Sequence, residues 1–365
     1  MEFLFFGKIN KIKIKIYKER RGGMEKRRLG KTGLEVSVIG FGGIPIQKLP
    51  MRKAREIIRL AIDRGINFFD TAQGYGDSEV KIGEGIKGKR DKCIIATKSP
   101  CRKEKEAIQH VEKALKRLKV DFIDLYQIHH VSKSSELEMV ISCGGALDGL
   151  LKLKEKGKIK HIGITGHNPS LLKEAIEKRE EFETVQFPFN IVEDEEDKFS
   201  LIKAAKNLSV GTIIMKPLAG GVLPHPSLCL RWILQQGVDT VIPGMILPSE
   251  VEENVKVGEE VLPLSEKELS LLKDSVKELE KEFCRRCMYC MPCPEGIHIY
   301  LIQELGDKVK VGVEEVKKMC QEMYTRLPKN VEDCTECGEC EEKCPYNLPV
   351  RKMLREKHRL LTQRI

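Results

Sequence analysis

The sequence predicts an α/β protein, a (β/α)8 TIM barrel followed by a smaller and mainly helical domain. Three observations predict it. The chain has 365 residues, enough for a barrel of roughly 250 residues and one further unit. Between about residue 36 and residue 260, eight short apolar runs alternate with amphipathic stretches, the pattern of parallel strands joined by crossover helices. Eight of the 13 cysteines then crowd into two tight groups near the C-terminus, outside that alternation.

The strand-like runs are 36–42, 67–71, 93–98, 122–129, 161–165, 184–189, 212–216 and 240–243. Between them, Ala54, Ile57, Ile58 and Ala61 share one helical face before Gly65. Ile108, Val111, Leu115 and Leu118 are expected to do the same in a later helix. Eight strands fit a closed barrel; a doubly wound open sheet is the competing arrangement. After the last strand, Ser265 and Glu268 have capping-box spacing, and Leu269, Leu272, Val276, Leu279 and Phe283 make an apolar stripe. The stretch 309–324 also reads as helical. Domain boundaries are expected at 24–281 for the barrel and 282–365 for the cysteine domain. Residues 1–23 stand apart as an extension, with Lys11-Ile12-Lys13-Ile14-Lys15-Ile16 alternating as an edge strand would.

Composition narrows the function. The formal charge is +9, but residues 1–23 hold seven Lys/Arg against two Glu and leave only +4 for the rest. That balance gives no footprint for nucleic acid. No apolar run approaches the ~20 residues that cross a bilayer, and the apolar opening at residues 3–6 is too short for a signal peptide. The cysteine spacing suits metal rather than disulfides, so a reducing, anaerobic cytoplasm is expected.

In such barrels, catalytic groups sit at the C-terminal ends of strands. Asp70, Lys98 and His129 end the second, third and fourth runs, and Tyr75 follows Asp70 closely. A tyrosine, with a reference pKa of about 10, exchanges protons poorly at neutral pH. A neighbouring ammonium favours its anion, and a carboxylate can hold that ammonium. An imidazole can donate a hydrogen bond to a carbonyl oxygen, which completes a set for carbonyl reduction. Singly, each has a plain explanation: a turn aspartate, a solvated lysine, a surface tyrosine, a histidine rivalled by His130. It is their succession that carries the reading.

Asp70-Thr71-Ala72-Gln73-Gly74-Tyr75-Gly76, Ile95-Ala96-Thr97-Lys98 and Asp124-Leu125-Tyr126-Gln127-Ile128-His129-His130 together resemble the aldo-keto reductases over roughly residues 24–280. Met24-Glu25-Lys26-Arg27-Arg28-Leu29-Gly30 is similar to the beginning of such a barrel, and the natural start is expected at Met24. The resemblance implies that Tyr75 donates the proton, Lys98 tunes it, Asp70 anchors Lys98 and His129 orients the carbonyl. A nicotinamide cofactor would be bound by Gly43, Ile44, Thr165 and Gln186. Lys216-Pro217-Leu218-Ala219-Gly220-Gly221 resembles the loop over the pyrophosphate, with Lys216 and Leu218 as contacts. Gly244, Glu253 and Asn254 would meet the adenine end. Many members carry a Lys just after Ile-Pro and an Arg a few residues later, both reading the 2′-phosphate of NADP. Here those places hold Gly244 and Glu250. The resemblance therefore implies NAD(H) or NADP(H), with a lean toward NADH through a carboxylate that repels phosphate and accepts from a 2′-hydroxyl.

Cys284-x2-Cys287-x2-Cys290-x2-Cys293-Pro294 and Cys334-x2-Cys337-x2-Cys340-x3-Cys344-Pro345 match the bacterial ferredoxin pattern. In it, three cysteines bind one cluster and the fourth, before proline, binds the other. Two [4Fe–4S] clusters follow, one on Cys284, Cys287, Cys290 and Cys344, the other on Cys334, Cys337, Cys340 and Cys293. The first set is one residue short before Cys293, and Cys320 is the natural substitute. Zinc is the alternative for paired Cys-x2-Cys. The helical stretch between the motifs resembles an alpha-helical ferredoxin. The expected function is oxidoreduction of a small-molecule carbonyl or alcohol, with clusters exchanging electrons with a ferredoxin or flavoprotein partner. The alternative is a nicotinamide- and redox-sensing regulatory protein. No nucleic acid or membrane partner is expected.

Overall fold

The computed structural model describes residues 23–192, 196–277, 283–311 and 314–363. The expected extension, apart from Gly23, and its Lys-Ile alternation lie outside the described residues, as does Leu279 of the expected stripe. The chain forms two compact units. The first runs to Phe187 and includes Asp197–Met215 and Leu230–Pro263; the second comprises Pro188–Glu196, Lys216–Cys229 and Leu264–Ile365.

In the first unit, a hairpin of β1 (Lys26–Arg28) and β2 (Glu35–Ser37) precedes the barrel. The barrel strands are β3 (Phe41–Gly42), β4 (Phe68–Asp70), β5 (Ile94–Ser99), β6 (Ile123–Ile128), β7 (Ile159–Thr165), β8 (Thr184–Pro188), β9 (Gly211–Met215) and β10 (Thr240–Val241). They hydrogen-bond in sequence order. Parallel bridges Ile39↔Val241 and Gly42↔Gly244 join the last strand to the first, so the sheet closes and the open-sheet alternative falls. The run expected at 36–42 is divided: Val36 belongs to the antiparallel hairpin and Phe41 to the barrel. Both halves are apolar and buried, so hydrophobicity alone could not separate them.

Leu29 and Val36 of the hairpin join Phe68, Ala96, Leu125, Ile213 and Ile242 in one buried cluster. The hairpin thus closes the N-terminal end of the barrel. Gly30 makes this fit possible. It has φ +50°, and a Cβ there would lie 2.2 Å from the Gly211 nitrogen.

Helix α1 (Met51–Asp63) buries Ala54, Ile57, Ile58 and Ala61 as its periodicity requires. Helix α2 (Ser78–Ile86) follows β4, and helix α3 (Glu104–Leu118) buries Ala107, Val111, Ala114 and Leu118. Ile108 and Leu115 are only half-buried, because two alanines one position earlier let the helix approach the strands closely.

In the second unit, the helix Glu266–Lys277 starts at the expected capping box: Ser265 Oγ donates to Glu268 Oε2 at 2.8 Å. Phe283 is buried but in non-helical backbone, so it does not extend that helix's face. Helices Ile299–Val311, Glu314–Thr325 and Val350–Thr362 form the cysteine region's scaffold. Their core holds Ile302, Leu305, Cys320, Tyr324, Met353, Leu354 and Leu361. The unit also takes in 216–229, although the sequence places the boundary at 281/282. The reason is local: Gly220 packs so tightly that a Cβ there would meet the Arg285 carbonyl oxygen at 2.6 Å. Among the described residues, no helix is long and apolar enough to cross a membrane.

Candidate active site and cysteine-lined cavities

The C-terminal strand ends gather the four residues expected to carry chemistry. Asp70 closes β4 and Lys98 sits near the end of β5. Lys98 Nζ donates to Asp70 Oδ1 at 2.7 Å, to Oδ2 at 2.6 Å and to the Thr71 carbonyl at 2.9 Å. Lys98 is fully buried and Asp70 nearly so. Burial pushes the Lys98 ammonium below its ordinary pKa, with Asp70 acting against the shift. Burial likewise pushes Asp70 up, with Lys98 opposing. Two buried ions each need the other, so the pair is a fixed element rather than a surface contact.

The Lys98 ammonium lies 5.2 Å from the Tyr75 ring centre. The His129 ring meets the Tyr75 ring edge-on, at 5.9 Å between centroids. The His129 N–H donates to the Ser99 carbonyl at 2.9 Å, which continues the strand register past β6. The four expected residues are therefore together. Arg117 holds the loop that carries Tyr75, donating to the Gly76 and Gln73 carbonyls and pairing with Glu79 at 3.3 Å. Glu79 is fully buried, accepts from Thr97 Oγ1 at 2.7 Å, and burial raises its pKa. The sequence reading missed Arg117 and Glu79. Glu79 lies four residues past Tyr75, and Arg117 is remote in sequence and met only through packing.

Among the expected cofactor residues, Thr165 ends β7 opposite Gln186 of β8. The His130 N–H donates to Thr165 Oγ1 at 3.0 Å. Gln186 Oε1 accepts from Gln127 Nε2 at 2.7 Å, and Gln186 also bonds Asp70. Gln127, another residue the sequence reading passed over, has its Oε1 buried and without a hydrogen-bond partner among the described residues. These donors and acceptors fit a carboxamide, which offers both. Gly43 donates its N–H to the Asp70 carbonyl at 2.7 Å, and Ile44 follows it. Asn254 is buried and Glu253 exposed on the helix Pro248–Glu259. Gly244 approaches Pro45 so closely that a Cβ would lie 2.4 Å from its ring, which leaves no room for the family's lysine there. Glu250, expected to face a ribose, instead caps that helix: its Oε2 accepts from the Ile246 and Leu247 N–H groups at 2.6 and 3.0 Å.

Lys216 and Leu218 belong to the second unit. There Lys216 Nζ donates to Tyr346 Oη at 2.9 Å.

The eight clustered cysteines line two cavities. One is walled by Cys284, Cys287, Cys290 and Cys344 together with Arg285 and Tyr346. The other is walled by Cys293, Cys334, Cys337 and Cys340, with Cys290 at its edge. Cys320 lines neither and is fully buried in the helical core. Among the described residues, no three His, Cys, Asp or Glu side chains converge as on a single metal ion. Zinc needs four ligands at about 2.0–2.3 Å. Cysteines spread around a cavity fit a larger polynuclear cluster. Backbone N–H groups of Arg286 and Glu336 reach Cys284 Sγ and Cys334 Sγ, each at 3.4 Å. Burial pushes the thiols of Cys284 and Cys340 up to about 11 and that of Cys290 to about 12.

A closed eight-stranded barrel with a buried Lys–Asp pair beside a tyrosine and a histidine defines an oxidoreductase of the TIM-barrel class. Residues 38–227 match the aldo/keto reductase family and residues 283–349 match the 4Fe-4S dicluster domain. The chain belongs to the aldo/keto reductase family, in its subgroup with a C-terminal ferredoxin-like domain, and is an NAD(P)-dependent oxidoreductase. It is 29% identical over 327 residues to L-galactose dehydrogenase of Arabidopsis thaliana, covering 75% of this chain and 98% of that one. It is 32% identical over 225 residues to aldo-keto reductase YhdN of Bacillus subtilis, covering 55% and 64%. Among solved structures, aldo-keto reductase AKR11C1 from Bacillus halodurans superposes with a TM-score of 0.60 at 26% identity, covering 69% of this chain and 96% of that one. The Klebsiella pneumoniae aldo-keto reductase solved with NADPH has a TM-score of 0.59 at 21% identity, covering 69% and 94%. At that identity the likeness speaks for the fold.

Proposed function

We propose that this chain interconverts a small-molecule carbonyl compound and its alcohol at the Tyr75 site, and that its C-terminal domain holds two [4Fe–4S] clusters for electron exchange with a ferredoxin or flavoprotein. The buried Lys98–Asp70 pair beside Tyr75 carries the reading. A buried charge pair adds little to stability against an apolar substitute; beside a phenol, it favours the phenolate and so eases release of the proton. When bound, nicotinamide supplies or takes the hydride. His129 orients the carbonyl oxygen, Tyr75 Oη gives that oxygen its proton, and Lys98 holds positive charge beside the tyrosine that is left. Asp70, Tyr75, Lys98 and His129 are thus the catalytic set. Gly43, Ile44, Thr165, Gln186, Lys216, Leu218, Gly244, Glu253 and Asn254 are the cofactor set.

NADH is the favoured cofactor on this reading. The Klebsiella relative was solved with NADPH, but this chain lacks a cation at Gly244. Glu250 leaves a carboxylate at the same helix start, so its charge still opposes a 2′-phosphate although its oxygen is committed to capping. A tenfold preference for NADPH in kcat/KM would overturn that choice. Cys284, Cys287, Cys290 and Cys344 are proposed to hold one cluster, and Cys293, Cys334, Cys337 and Cys340 the other, in a reducing cytoplasm. Thiols raised by burial deprotonate readily only when a metal takes the proton's place.

The test is Tyr75→Phe in anaerobically purified protein. Turnover of a generic aldehyde should fall by about 10³-fold or more with nicotinamide affinity kept. Turnover within a few fold of the parent would sink the catalytic reading, and a nucleotide-dependent regulatory output surviving the change would favour a sensor.

A further inference from the structure

We propose that Gln303 is an outer hydrogen-bond donor to the cluster on Cys284, Cys287, Cys290 and Cys344, and that its amide raises that cluster's redox potential. This rests on the reading above that those four cysteines hold a [4Fe–4S] cluster.

Gln303 lies on the helix Ile299–Val311 and is only 1% exposed. Ile299 and Tyr300, one turn earlier, wall the same cavity as Gln303 and the four cysteines, as positions on one helical face do. The adjoining face carries Ile302 and Leu305 into the helical core. A primary amide brings two N–H donors and an acceptor. Both Nε2 and Oε1 of Gln303 are buried and without a hydrogen-bond partner among the described residues. No other described residue is left this way at both polar atoms.

Arg286 Nε and Arg351 Nε, in the same unit, also lack a partner. Their guanidinium groups are held through other nitrogens: Arg286 Nη1 donates to the Gly220 carbonyl at 3.2 Å, and Arg351 Nη2 to Glu341 Oε2 at 2.6 Å. Among the described residues, the Gln303 amide has no such second attachment.

Burying an unpaired amide forfeits its hydration with nothing in return. The cavity that Gln303 walls supplies what is missing. Thiolate and sulfide are acceptors, so the end of the amide that meets them is Nε2. The Arg286 N–H already donates to Cys284 Sγ at 3.4 Å, and Gln303 adds a donor from a separate helix. Reduction adds negative charge to the cluster and its sulfurs. A donor to sulfur therefore holds the reduced form more strongly and raises the potential. Gln303 is not in the wall of the other cysteine cavity, so one cluster of the two is affected.

The experiment is an EPR-monitored redox titration of the anaerobic holoprotein, with iron counted first and ENDOR spectra of the reduced clusters taken in H2O and in D2O. Gln303→Met keeps an unbranched side chain and removes the donor. It should retain about eight irons and lower one of two midpoints by about 60 mV, which is about tenfold in a one-electron equilibrium. The other midpoint should stay in place. One exchangeable-proton coupling should vanish while that of the Arg286 N–H remains. Gln303→Glu keeps the shape and exchanges the donor for a carboxylate, so it should lower the same midpoint further. Either variant suffices if the other does not bind iron. Unmoved midpoints with every exchangeable coupling intact overturn this proposal alone, as does an equal shift of both midpoints with the couplings unchanged, which marks a packing effect. A parent protein without iron overturns the cluster reading and this proposal with it.

Discussion

Asp70→Asn is the sharpest test of the barrel site. The substitution keeps the shape of the side chain and removes the only charge among the described residues within hydrogen-bond distance of Lys98 Nζ, whose partners there are the two Asp70 oxygens and the Thr71 carbonyl. Breaking a buried pair by removing one partner costs about 3–5 kcal/mol. Lys98 has an exit, since neutralising an ordinary lysine at pH 7 costs about 4–5 kcal/mol, and that caps the penalty. Burial already pulls the Lys98 pKa down and Asp70 holds it up; without the carboxylate it falls further. The unfolded chain then binds more protons than the folded one, so stability rises with pH. The variant should thus lose about 3–5 kcal/mol in urea unfolding at pH 7, and much less near pH 10. Deprived of its ammonium, Tyr75 should lose about 10²–10³-fold in kcat/KM at pH 7, equivalent to about 3–4 kcal/mol. Nicotinamide affinity should change little. A variant with unchanged kcat/KM and a pH-independent stability loss would show that the pair only packs the barrel and does not tune Tyr75.

Three further outcomes are expected. Gly30→Ala places a Cβ 2.2 Å from the Gly211 nitrogen in left-handed backbone and should cost about 2–4 kcal/mol in denaturant unfolding; a loss under 1 kcal/mol would mean that the hairpin does not plug the barrel as described. For Glu183, burial pushes the pKa up, but hydrogen bonds from His161 and Lys154 outweigh it and bring the carboxyl to about 2. Its contribution, about 2–3 kcal/mol, is present above about pH 4.5 and lost as pH falls toward 2. Glu183→Gln should be less stable at pH 7 and converge with the parent near pH 2, and a constant gap across that range would contradict it. Cys293→Ala should lower bound iron from about eight atoms per chain, whereas Cys320→Ala should leave it unchanged and cost only packing; the reverse would make Cys320 the ligand.

The proposed catalytic set was legible because it is local to strand ends. Asp70, Lys98 and His129 stand where apolar runs stop, and a parallel barrel brings such ends to one rim whatever the details of the helices. Helix faces were less secure. Ala107 and Ala114 bury in place of Ile108 and Leu115, since close packing against strands favours small side chains that hydrophobic periodicity underweights. The run 36–42 hid a change of partner, because antiparallel pairing in the hairpin and parallel pairing in the barrel use the same apolar residues. Glu250 was visible as a carboxylate at a telling position. That its oxygen would be spent on the Ile246 and Leu247 N–H groups followed from helix geometry alone.

The sequence by itself determined the barrel, the placing of the four proposed catalytic residues at its strand ends and the division of eight cysteines into two groups. Strand periodicity, strand ends and ligand spacing are properties of short segments, and short segments carry their own signal. Only the tertiary structure decided which side chains meet across distance. It set Gln127 beside Gln186, Arg117 under the Tyr75 loop, Cys320 in a core away from both cavities, and Lys216 on Tyr346. Such meetings depend on how separate elements pack, and no local pattern of residues encodes the partner.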